Sequence, residues 1–342
     1  MLSQLQIRDT SRSIARSQLE NGLIPWFMGG HIDPWNHIEA TIALAIAGEV
    51  ERAQKALDGL NSLQNEDGSF CHYYLSSGVK EPNRDPNVIS YLALGVLALS
   101  CHIEDFDLER RFGIVAKAID YVVSLQRFDG GFPMLVTPDG RKHPKSLLAA
   151  SCSILVSLEA ANFLASGLDL EMPAWKQAYL DLENFLILAR SNIADKSNWA
   201  MDWYYPSFTR IKDQTRKESF GSADLLVGGS AGFVEQGLGV RCIKERSWFT
   251  AAETSEAAIA FSLSGMYDHA QKIFQTTDRF RTSDGSYLTG LTHPNGQSFP
   301  DKEMSTYSAS AVLIANSVLL QRHFGSLTGH FIELFKVNRR SF

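Results

Sequence analysis

Two kinds of helical pattern alternate along the chain. In segments such as residues 91–99 (YLALGVLAL) apolar side chains point in nearly every direction, whereas in residues 116–126 (AKAIDYVVSLQ) they form a single stripe. A helix that is apolar all round is typical of one buried on both sides, and a single stripe is typical of an outer layer. The alternation therefore predicts two concentric layers of helices.

An internal repeat indicates how these helices are arranged. Residues 38–57 align without a gap with residues 255–274, a shift of 217, so that Glu39 falls on Glu256 and Gly48 on Gly265. Such a repeat is typical of an architecture built from copies of one supersecondary unit. If the shift spans four units, each has about 54 residues (217 divided by four) and the chain holds about six. We therefore predict an all-α fold, an (α/α)6 toroid of about six helical hairpins that forms a single domain over residues 1–342.

The repeat also locates the helices on the sequence. Helices of the inner layer are expected near residues 36–47, 87–100, 146–165, 251–263 and 304–321. Helices of the outer layer are expected near residues 50–64, 108–126 and 267–280. Short connections join inner to outer helices, as is usual between antiparallel neighbours.

Long loops lead from each outer helix to the next inner helix and share one plan. An Asp-Gly pair opens them at 67–68, 129–130 and 284–285, and a second turn follows at 77–78, 139–140 and 295–296. Asn-Gly and Asp-Gly pairs favour tight hairpin turns, so each loop is expected to carry a small β-hairpin. All these loops leave the same end of the ring, which is where function is expected. The glycine-rich residues 228–241 are interpreted as a loop that covers the cavity there.

Composition narrows the functional classes. The formal net charge is −6 without a basic cluster, which argues against nucleic acid or an anionic membrane as partner. The four cysteines (Cys71, Cys101, Cys152 and Cys242) are widely spaced, which predicts reduced thiols and neither a disulfide framework nor a zinc site. The N-terminus lacks the apolar stretch of a signal peptide, and no run approaches 18 apolar residues, so a cytoplasmic protein without a transmembrane segment is expected. We expect a small-molecule substrate, no cofactor and no metal.

The ring model gathers aromatic and acidic residues at the starts of the inner helices. The candidate catalytic residues are Asp33, Asp202, Glu253, Glu39 and Glu256. The candidate substrate-binding residues are Trp26, His31, Trp35, Asn36, Trp203, Tyr204, Trp248, Tyr287 and Tyr307. Aromatic faces and carboxylates serve two chemistries. They stabilise and deprotonate a carbocation, or they stack on sugar rings and supply a general acid and base.

Each carboxylate also has a structural interpretation. Asp33 precedes Pro34 at the start of a helix, which is the usual position of an N-cap. Glu253 opens a helix, where the helix dipole stabilises a negative charge. Glu39 and Glu256 lie one turn inside apolar helices, where a glutamate is costly unless it is paired, so a buried polar network is the alternative to catalysis. Asp202 has the least evident structural role.

One part of the repeat resembles a known sequence motif. The spacing of Lys117, Ala118, Tyr121, Val122, Gln126, Gly130 and Phe132 resembles the QW repeat of terpenoid cyclases and the related repeat of protein prenyltransferase β-subunits, with Phe132 where tryptophan is usual. Lys55, Ala56, Leu60, Gln64, Gly68 and Phe70 form a second copy, and residues 272–287 a degenerate third. This resemblance implies the α/α toroid of that superfamily, in which the repeat ties outer helices to the following loop.

The catalytic motifs of that superfamily are missing. No DxDD motif of the class II cyclases occurs, and the Asp, Cys and His zinc ligands of the prenyltransferases have no counterpart, since Cys71-His72 lacks partners. A second, looser resemblance links residues 287–300 and the following STYSASAVLIA to the last loop and inner helix of six-hairpin glycosidases. That family uses the same ring with carboxylates at one end.

Three functional hypotheses follow. The leading one is an enzyme of the terpenoid cyclase and prenyltransferase toroid superfamily that performs acid–base chemistry on an isoprenoid-like or cyclisable substrate. The alternative is a carbohydrate-active enzyme of the six-hairpin glycosidase type. The third is a binding toroid without catalysis, which the clustered carboxylates argue against.

Overall fold

The computed structural model describes residues 1–188, 192–211 and 232–323, with side chains as far as residue 320. The helices are, in chain order, α1 (Gln4–Ser17), α2 (Pro34–Ile46), α3 (Val50–Asn61), α4 (Pro86–Ser90), α5 (Leu92–His102), α6 (Leu108–Ser124), α7 (Leu148–Ser166), α8 (Pro173–Leu188), α9 (Met201–Tyr204), α10 (Ala251–Leu263), α11 (Tyr267–Gln275) and α12 (Thr306–His323). The strands are β1 (Tyr73–Leu75), β2 (Gly78–Glu81), β3 (Val234–Glu235), β4 (Gly239–Arg241), β5 (Trp248–Thr250), β6 (Leu288–Thr292) and β7 (Ser298–Met304).

The inner helices form a closed ring. Helix α2 contacts α5, α5 contacts α7, and α7 contacts the turn at Tyr205–Phe208 that continues α9. That turn contacts α10, α10 contacts α12, and α12 returns to α2. Helices α3, α6, α8 and α11 each pack outside the inner helix that precedes them, and α1 packs on α12 and α2. This closed arrangement confirms the predicted α/α toroid.

Two parts of the prediction stay open. At the fourth position of the ring the chain forms only the short α9 and a 3₁₀ turn (Tyr205–Phe208) in place of a long inner helix. Because residues 212–231 lie outside the described residues, the count of six hairpins stays a prediction, as does a single domain over residues 1–342. The start of the predicted covering loop, residues 228–231, also lies outside them.

The predicted helices agree with the structure to within a few residues. Helix α10 occupies the predicted residues 251–263, while the inner helix expected at 87–100 is interrupted at Tyr91 between α4 and α5. The outer helix expected at 267–280 ends as an α-helix at Gln275 and continues as a 3₁₀ turn to Phe280. Helices α1 and α8 were not predicted, because neither lies in the aligned copies of the repeat.

A glutamine clamp explains the repeated Gln-x-x-x-Gly motif. The side chain of Gln126 donates one hydrogen bond to the carbonyl of Gly130 in its own loop (2.9 Å) and one to Ala178 in the next outer helix, α8 (2.9 Å). Gln64 does the same towards Gly68 (3.1 Å) and Ile114 in α6 (2.9 Å). The motif therefore fastens each outer helix to the next one around the ring.

A further copy of the clamp was missed in the sequence. Gln18 donates to the carbonyls of Gly22 (3.1 Å) and Arg52 (2.9 Å) and so fastens α1 to α3. Its spacing is the same, but the residues between Gln18 and Gly22 share little else with the other copies. At the other end of the chain, a Cβ on Gly285 would lie 2.6 Å from the Asp9 carbonyl in α1. Helix α1 therefore closes the outer layer.

The glycine of each clamp has no room for a side chain. Gly130 has a φ of +86°, and a Cβ there would lie 2.3 Å from the carbonyl oxygen of Asp181. We expect Gly130→Ala to lower the free energy of unfolding by about 2 kcal/mol, because it combines left-handed strain with a backbone clash. Urea denaturation measures this change.

The matched control is Gly113→Ala on the exposed face of α6, where a Cβ would meet nothing within 4 Å. That variant should be stabilised by up to about 1 kcal/mol, since alanine favours the helix. Equal effects of the two substitutions would contradict this account of the clamp.

The loops at one end of the ring carry more strand than was predicted. The hairpin β1–β2 turns at Ser76-Ser77, one residue before the predicted pair, since Gly78 already pairs with Leu75. The hairpin β6–β7 encloses Asn295-Gly296, as expected. Around Asp139-Gly140 the described residues show only an isolated bridge between Val136 and Lys142. Strands β3 to β7 form one antiparallel sheet in chain order. This five-stranded sheet corrects the expectation of separate hairpins, since the 217-residue repeat contains no signal for β3, β4 and β5.

Helix α7 is long and apolar enough to cross a membrane by composition alone. Its side chains are mostly buried between α5, α6, α8 and the turn after α9. The position of α7 in the inner layer, with neighbours on most sides, accounts for its apolar character.

Candidate active site

A cavity of about 370 Å³ lies at the end of the ring where the inner helices begin. Its wall is formed by Trp26, Asp33, Trp35, His72, Tyr73, Asp85, Asn87, Val88, Leu147, Ala149, Ala150, Lys196, Trp199, Met201, Asp202 and Tyr205. Asp33 and Asp85 directly precede α2 and α4, Ala149 lies in the first turn of α7, and Asp202 lies in α9. The ring thus brings together residues that are up to 179 positions apart (205 minus 26).

Asp33 both caps a helix and faces the cavity. Its Oδ1 accepts a hydrogen bond from the backbone N–H of Asn36 (2.7 Å), which is the N-cap that the sequence indicated. Its Oδ2 is buried and has no hydrogen-bond partner among the described residues. Burial raises the pKa of Asp33 to about 6, against the lowering effect of the Asn36 hydrogen bond. Asp33 is therefore able to hold a proton near neutral pH.

Asp202 lies on the cavity wall and contacts the start of α7. Its Oδ1 accepts a hydrogen bond from the backbone N–H of Ala149 (3.3 Å), in the first turn of that helix. Burial raises the pKa of Asp202 to about 6, while Asp195 raises it further and Lys196 lowers it. The Lys196 ammonium also lies 5.4 Å from the centre of the Trp199 ring. A carboxylate, a cation and an indole thus meet on this side of the cavity.

Three buried polar atoms in the cavity wall lack partners. They are Asp33 Oδ2, Trp35 Nε1 and Asn87 Oδ1, none of which has a hydrogen-bond partner among the described residues. Buried polar groups are nearly always paired in folded proteins. Two acceptors and one donor without partners therefore belong to side chains that line this cavity.

The two buried glutamates lie elsewhere. Glu39 and Glu256 line a second, smaller cavity of about 30 Å³ deeper in the ring, which has only Tyr205 in common with the first. Burial raises the pKa of Glu39 to about 7 and that of Glu256 to about 8. Tyr204 and Tyr307 both donate hydrogen bonds to Glu256. These four predicted site residues are together, but outside the wall of the larger cavity.

Three predicted site residues also lie outside the wall of the larger cavity. The Trp203 indole donates to the carbonyl of Ser197 (2.8 Å), and Trp248 on β5 stacks on Phe299 with 4.2 Å between ring centres. Glu253 accepts a hydrogen bond from Thr250. Burial is the main cause that raises the pKa of the Cys242 thiol, and the negative charge of Glu253 is the second. We predicted that these residues share one cavity with Asp33 and Asp202, because Trp248 was expected at the start of an inner helix. In the structure Trp248 lies in β5, which is part of the five-stranded sheet.

The remaining predicted residues lie around the larger cavity or away from it. His31 stacks on Trp26 with 5.8 Å between ring centres, directly behind the wall. Asn36 donates to the Thr306 hydroxyl (3.3 Å) and so joins α2 to α12. Tyr287 is fully buried and is part of neither cavity wall. Whether any of these predicted residues acts on a substrate stays a prediction.

Several wall residues were not predicted as site residues. Asp85 and Asn87 flank Pro86, and an aspartate directly before a proline is also the usual pattern of a helix N-cap. His72 comes just after the Asp-Gly turn at 67–68 and precedes the β1–β2 hairpin. Its ring stacks on Tyr73 with 4.2 Å between ring centres. Their position in or beside a long loop at the functional end of the ring is the sequence feature that could have identified them.

No group of three or more His, Cys, Asp or Glu side chains arranged to hold a metal ion is found in the described ranges 1–188, 192–211 and 232–323. The cavity wall combines carboxylates with tryptophan, histidine and lysine side chains. This inventory fits acid–base chemistry on an organic ligand.

Comparisons with known proteins separate the functional hypotheses. No family model matches the sequence. The MMP endo-(1,4)-3-O-methyl-alpha-D-mannosidase of Mycolicibacterium hassiacum is 33% identical over 324 residues, which cover 93% of this chain and 87% of that protein. The chain belongs to the family of this mannosidase.

Solved structures agree in fold. A wild-type glycosidase is 12% identical with a TM-score of 0.70, over 92% of this chain and 96% of its own. A D-mannose isomerase is 11% identical with a TM-score of 0.65, over 93% and 97%. At these identities the likeness shows the fold alone.

The mannosidase family corrects the leading hypothesis from the sequence. A terpenoid cyclase or prenyltransferase activity on an isoprenoid-like substrate was wrong, because the relative that covers nearly the whole chain is a mannosidase. The motif that suggested it is the glutamine clamp, which supports the ring and contributes nothing to either cavity wall. The weaker resemblance to six-hairpin glycosidases was the better guide, and the protein is an enzyme of the mannosidase family.

Proposed function

We propose that the protein is an endo-acting glycoside hydrolase that cleaves α-(1,4)-linked mannose chains carrying 3-O-methyl groups. The observation that carries this proposal is the set of unpaired polar atoms (Asp33 Oδ2, Trp35 Nε1 and Asn87 Oδ1) beside tryptophan rings in one cavity. Sugars bind through this combination, since their ring faces stack on aromatic side chains and their hydroxyls need hydrogen-bond partners. The bond type and the methyl groups are taken from the name of the M. hassiacum relative.

Asp33 and Asp202 are the proposed acid and base. Glycoside hydrolysis uses two carboxyl groups, one that protonates the leaving oxygen and one that acts as base or nucleophile. Asp33 suits the acid, because its Oδ2 is free and burial raises its pKa to about 6. Asp202 lies on the wall of the same cavity, where burial raises its pKa and the hydrogen bond from the Ala149 N–H opposes that effect by favouring the charged form. Glu253, which the sequence also indicated, is the competing candidate for the second role.

The test is cleavage of a defined α-(1,4)-linked 3-O-methylmannose oligosaccharide, followed by mass analysis of the products over time. We expect early products of intermediate length, which arise when internal bonds are cut. Release of single sugars from one end would contradict endo action. No hydrolysis of this or of unmethylated α-(1,4)-mannose oligosaccharides would contradict the proposed function itself.

The apolar part of the wall should favour methylated sugars. Val88, Leu147, Ala149, Ala150 and Met201 line the cavity together with the tryptophans. One buried methyl group is worth about 1–3 kcal/mol in specificity, so kcat/KM for the 3-O-methylated oligosaccharide should exceed that for the unmethylated one by a factor of about 10 or more. Parallel kinetics on the two substrates measure this ratio, and a preference for the unmethylated chain would contradict the assignment of the wall.

A further inference from the structure

Two glutamates at equivalent positions of the repeat join neighbouring inner helices through tyrosines. Glu39 on α2 accepts a hydrogen bond from Tyr91, at the junction of α4 and α5. Glu256 on α10 accepts one from Tyr307 on α12 (2.6 Å) and another from Tyr204 on α9. Each of the two repeat-equivalent glutamates is therefore bound by the tyrosine of an adjacent inner helix.

Two of these tyrosines, Tyr91 and Tyr307, pack directly against the tryptophans of the larger cavity. The ring of Tyr91 lies 5.5 Å from that of Trp35, and Tyr307 lies 5.0 Å from Trp35 and 5.1 Å from Trp26, measured between ring centres. Tyr307, Ala252 and Ala311 form one buried cluster with the two tryptophans. The deeper polar network and the cavity wall are thus in contact through aromatic rings.

The two tryptophans are held in different ways. The Trp26 indole donates a hydrogen bond to Glu303 (2.9 Å), which fixes its orientation from the opposite side. The Trp35 Nε1 has no partner among the described residues, although it is buried. The orientation of Trp35 therefore depends on the rings packed against it, which are those of Tyr91 and Tyr307.

We infer that Glu39 and Glu256 are positioning residues that fix the Trp35 indole in the cavity wall through Tyr91 and Tyr307. This inference rests on the proposed function for the identity of the ligand. The contacts between the glutamates, the tyrosines and Trp35 are independent of that function. It replaces the catalytic role that the sequence suggested for both glutamates, since neither lines the larger cavity. The two glutamates thereby fix the position of the Trp35 ring, a sugar-binding surface, and of its unpaired Nε1–H donor.

Glutamine and alanine substitutions separate positioning from catalysis. Glutamine keeps an acceptor for the tyrosine hydroxyl but cannot transfer a proton. Glu39→Gln and Glu256→Gln should therefore retain kcat and KM within about threefold, whereas loss of a general acid or base costs about 10²–10⁴ in kcat. Tyr307→Phe and Glu256→Ala should raise KM by about 5- to 50-fold with a smaller change in kcat, because they release Trp35. Tyr121→Phe, on the outer helix α6, is the matched control and should match the wild type.

A spectroscopic cycle tests the inference without substrate. We expect Tyr307→Phe to change the near-ultraviolet circular dichroism of the tryptophans, and we expect that change to vanish in a Trp35→Phe background. Thermal melts establish that each variant is folded. A change that persists without Trp35, or no change at all, would overturn the positioning role. Loss of kcat in the glutamine variants would overturn it too, whereas a failed oligosaccharide assay alongside a positive cycle would contradict only the proposed function.

Discussion

Asp33→Asn is expected to lower kcat by a factor of about 10²–10⁴, the usual cost of removing a general acid or base. The fold should be retained, because asparagine is as good an N-cap as aspartate and its side-chain oxygen still accepts the Asn36 N–H. The variant loses only the ability to carry a proton at the free Oδ2. Steady-state kinetics on the methylated oligosaccharide, together with a thermal melt, measure both parts of the expectation.

The matched control is Asp107→Asn. Asp107 caps α6 through the backbone N–H of Arg110 (3.0 Å) in the same way, but it does not line either cavity. It should retain wild-type kinetics. If Asp33→Asn were as active as Asp107→Asn, Asp33 would be a helix cap only.

The second carboxylate is assigned by a comparison of two further variants. Asp202→Asn should reduce kcat by a similar factor, because Asp202 lies on the wall of the cavity that contains Asp33. Glu253→Gln should have a smaller effect, since Glu253 is bound to Thr250 and is not part of that wall. The reverse order of effects would transfer the role of base or nucleophile to Glu253.

The free energy of unfolding is expected to fall as pH rises from about 6.5 to about 8. Burial raises the pKa of Glu39 from 4.5 to about 7 and that of Glu256 from 4.5 to about 8. Between those values the folded protein keeps a proton that the unfolded chain has lost, so this stabilisation is complete below pH 4.5 and is lost as pH rises through the folded pKa. At about 1.4 kcal/mol for each pH unit and group, the loss over this window is roughly 3 kcal/mol.

The two wall aspartates contribute little to the pH dependence in this window. The pKa values of Asp33 and Asp202 are raised only to about 6, so their contribution is mostly lost below the window. Burial lowers the pKa of His37 to about 4, and the stability linked to it is present above pH 6.5 and lost below that value. The slope between pH 6.5 and 8 therefore contains the fall from Glu39 and Glu256 and a smaller opposing rise from His31, His37 and His102, whose pKa values burial lowers.

Urea denaturation at several pH values tests this expectation. The double variant with Glu39→Gln and Glu256→Gln should show a much flatter pH dependence than the wild type, whatever its absolute stability. Glu51→Gln, on α3 outside both cavity walls, is the control and should keep the wild-type slope. Parallel curves for the wild type and the double variant would contradict the raised pKa values.

The ring could be predicted from the sequence because its physical requirements are local. Inner helices need apolar side chains on all sides, and the clamp needs a glutamine four residues before a glycine. Both leave patterns that recur, such as Glu39 with Glu256 and Gln64 with Gln126. Strands β3 to β5 could not be predicted in this way, since each has only two or three residues and depends on pairing with its neighbours in the sheet, of which only β5 pairs with the hairpin β6–β7.

The candidate site was predictable only in part. Asp33, Trp35 and Asp202 were found because acidic and aromatic residues at the starts of inner helices must converge in a ring. The prediction could not distinguish the larger cavity from the smaller cavity that lies deeper in the ring. It therefore grouped Glu39 and Glu256 with the wall carboxylates. It also missed Asn87, whose unpaired oxygen becomes evident only when its surroundings are known.

The central claim is that the larger cavity binds the glycan between Asp33 and Asp202, and a crystal structure of the Asp33→Asn variant with a bound 3-O-methylmannose oligosaccharide tests it most directly. We predict a sugar ring stacked on a wall tryptophan, with hydroxyl groups on Trp35 Nε1 and Asn87 Oδ1 and a glycosidic oxygen beside residue 33. An oligosaccharide bound outside this cavity, or one whose glycosidic oxygens all lie away from residue 33, would contradict the account.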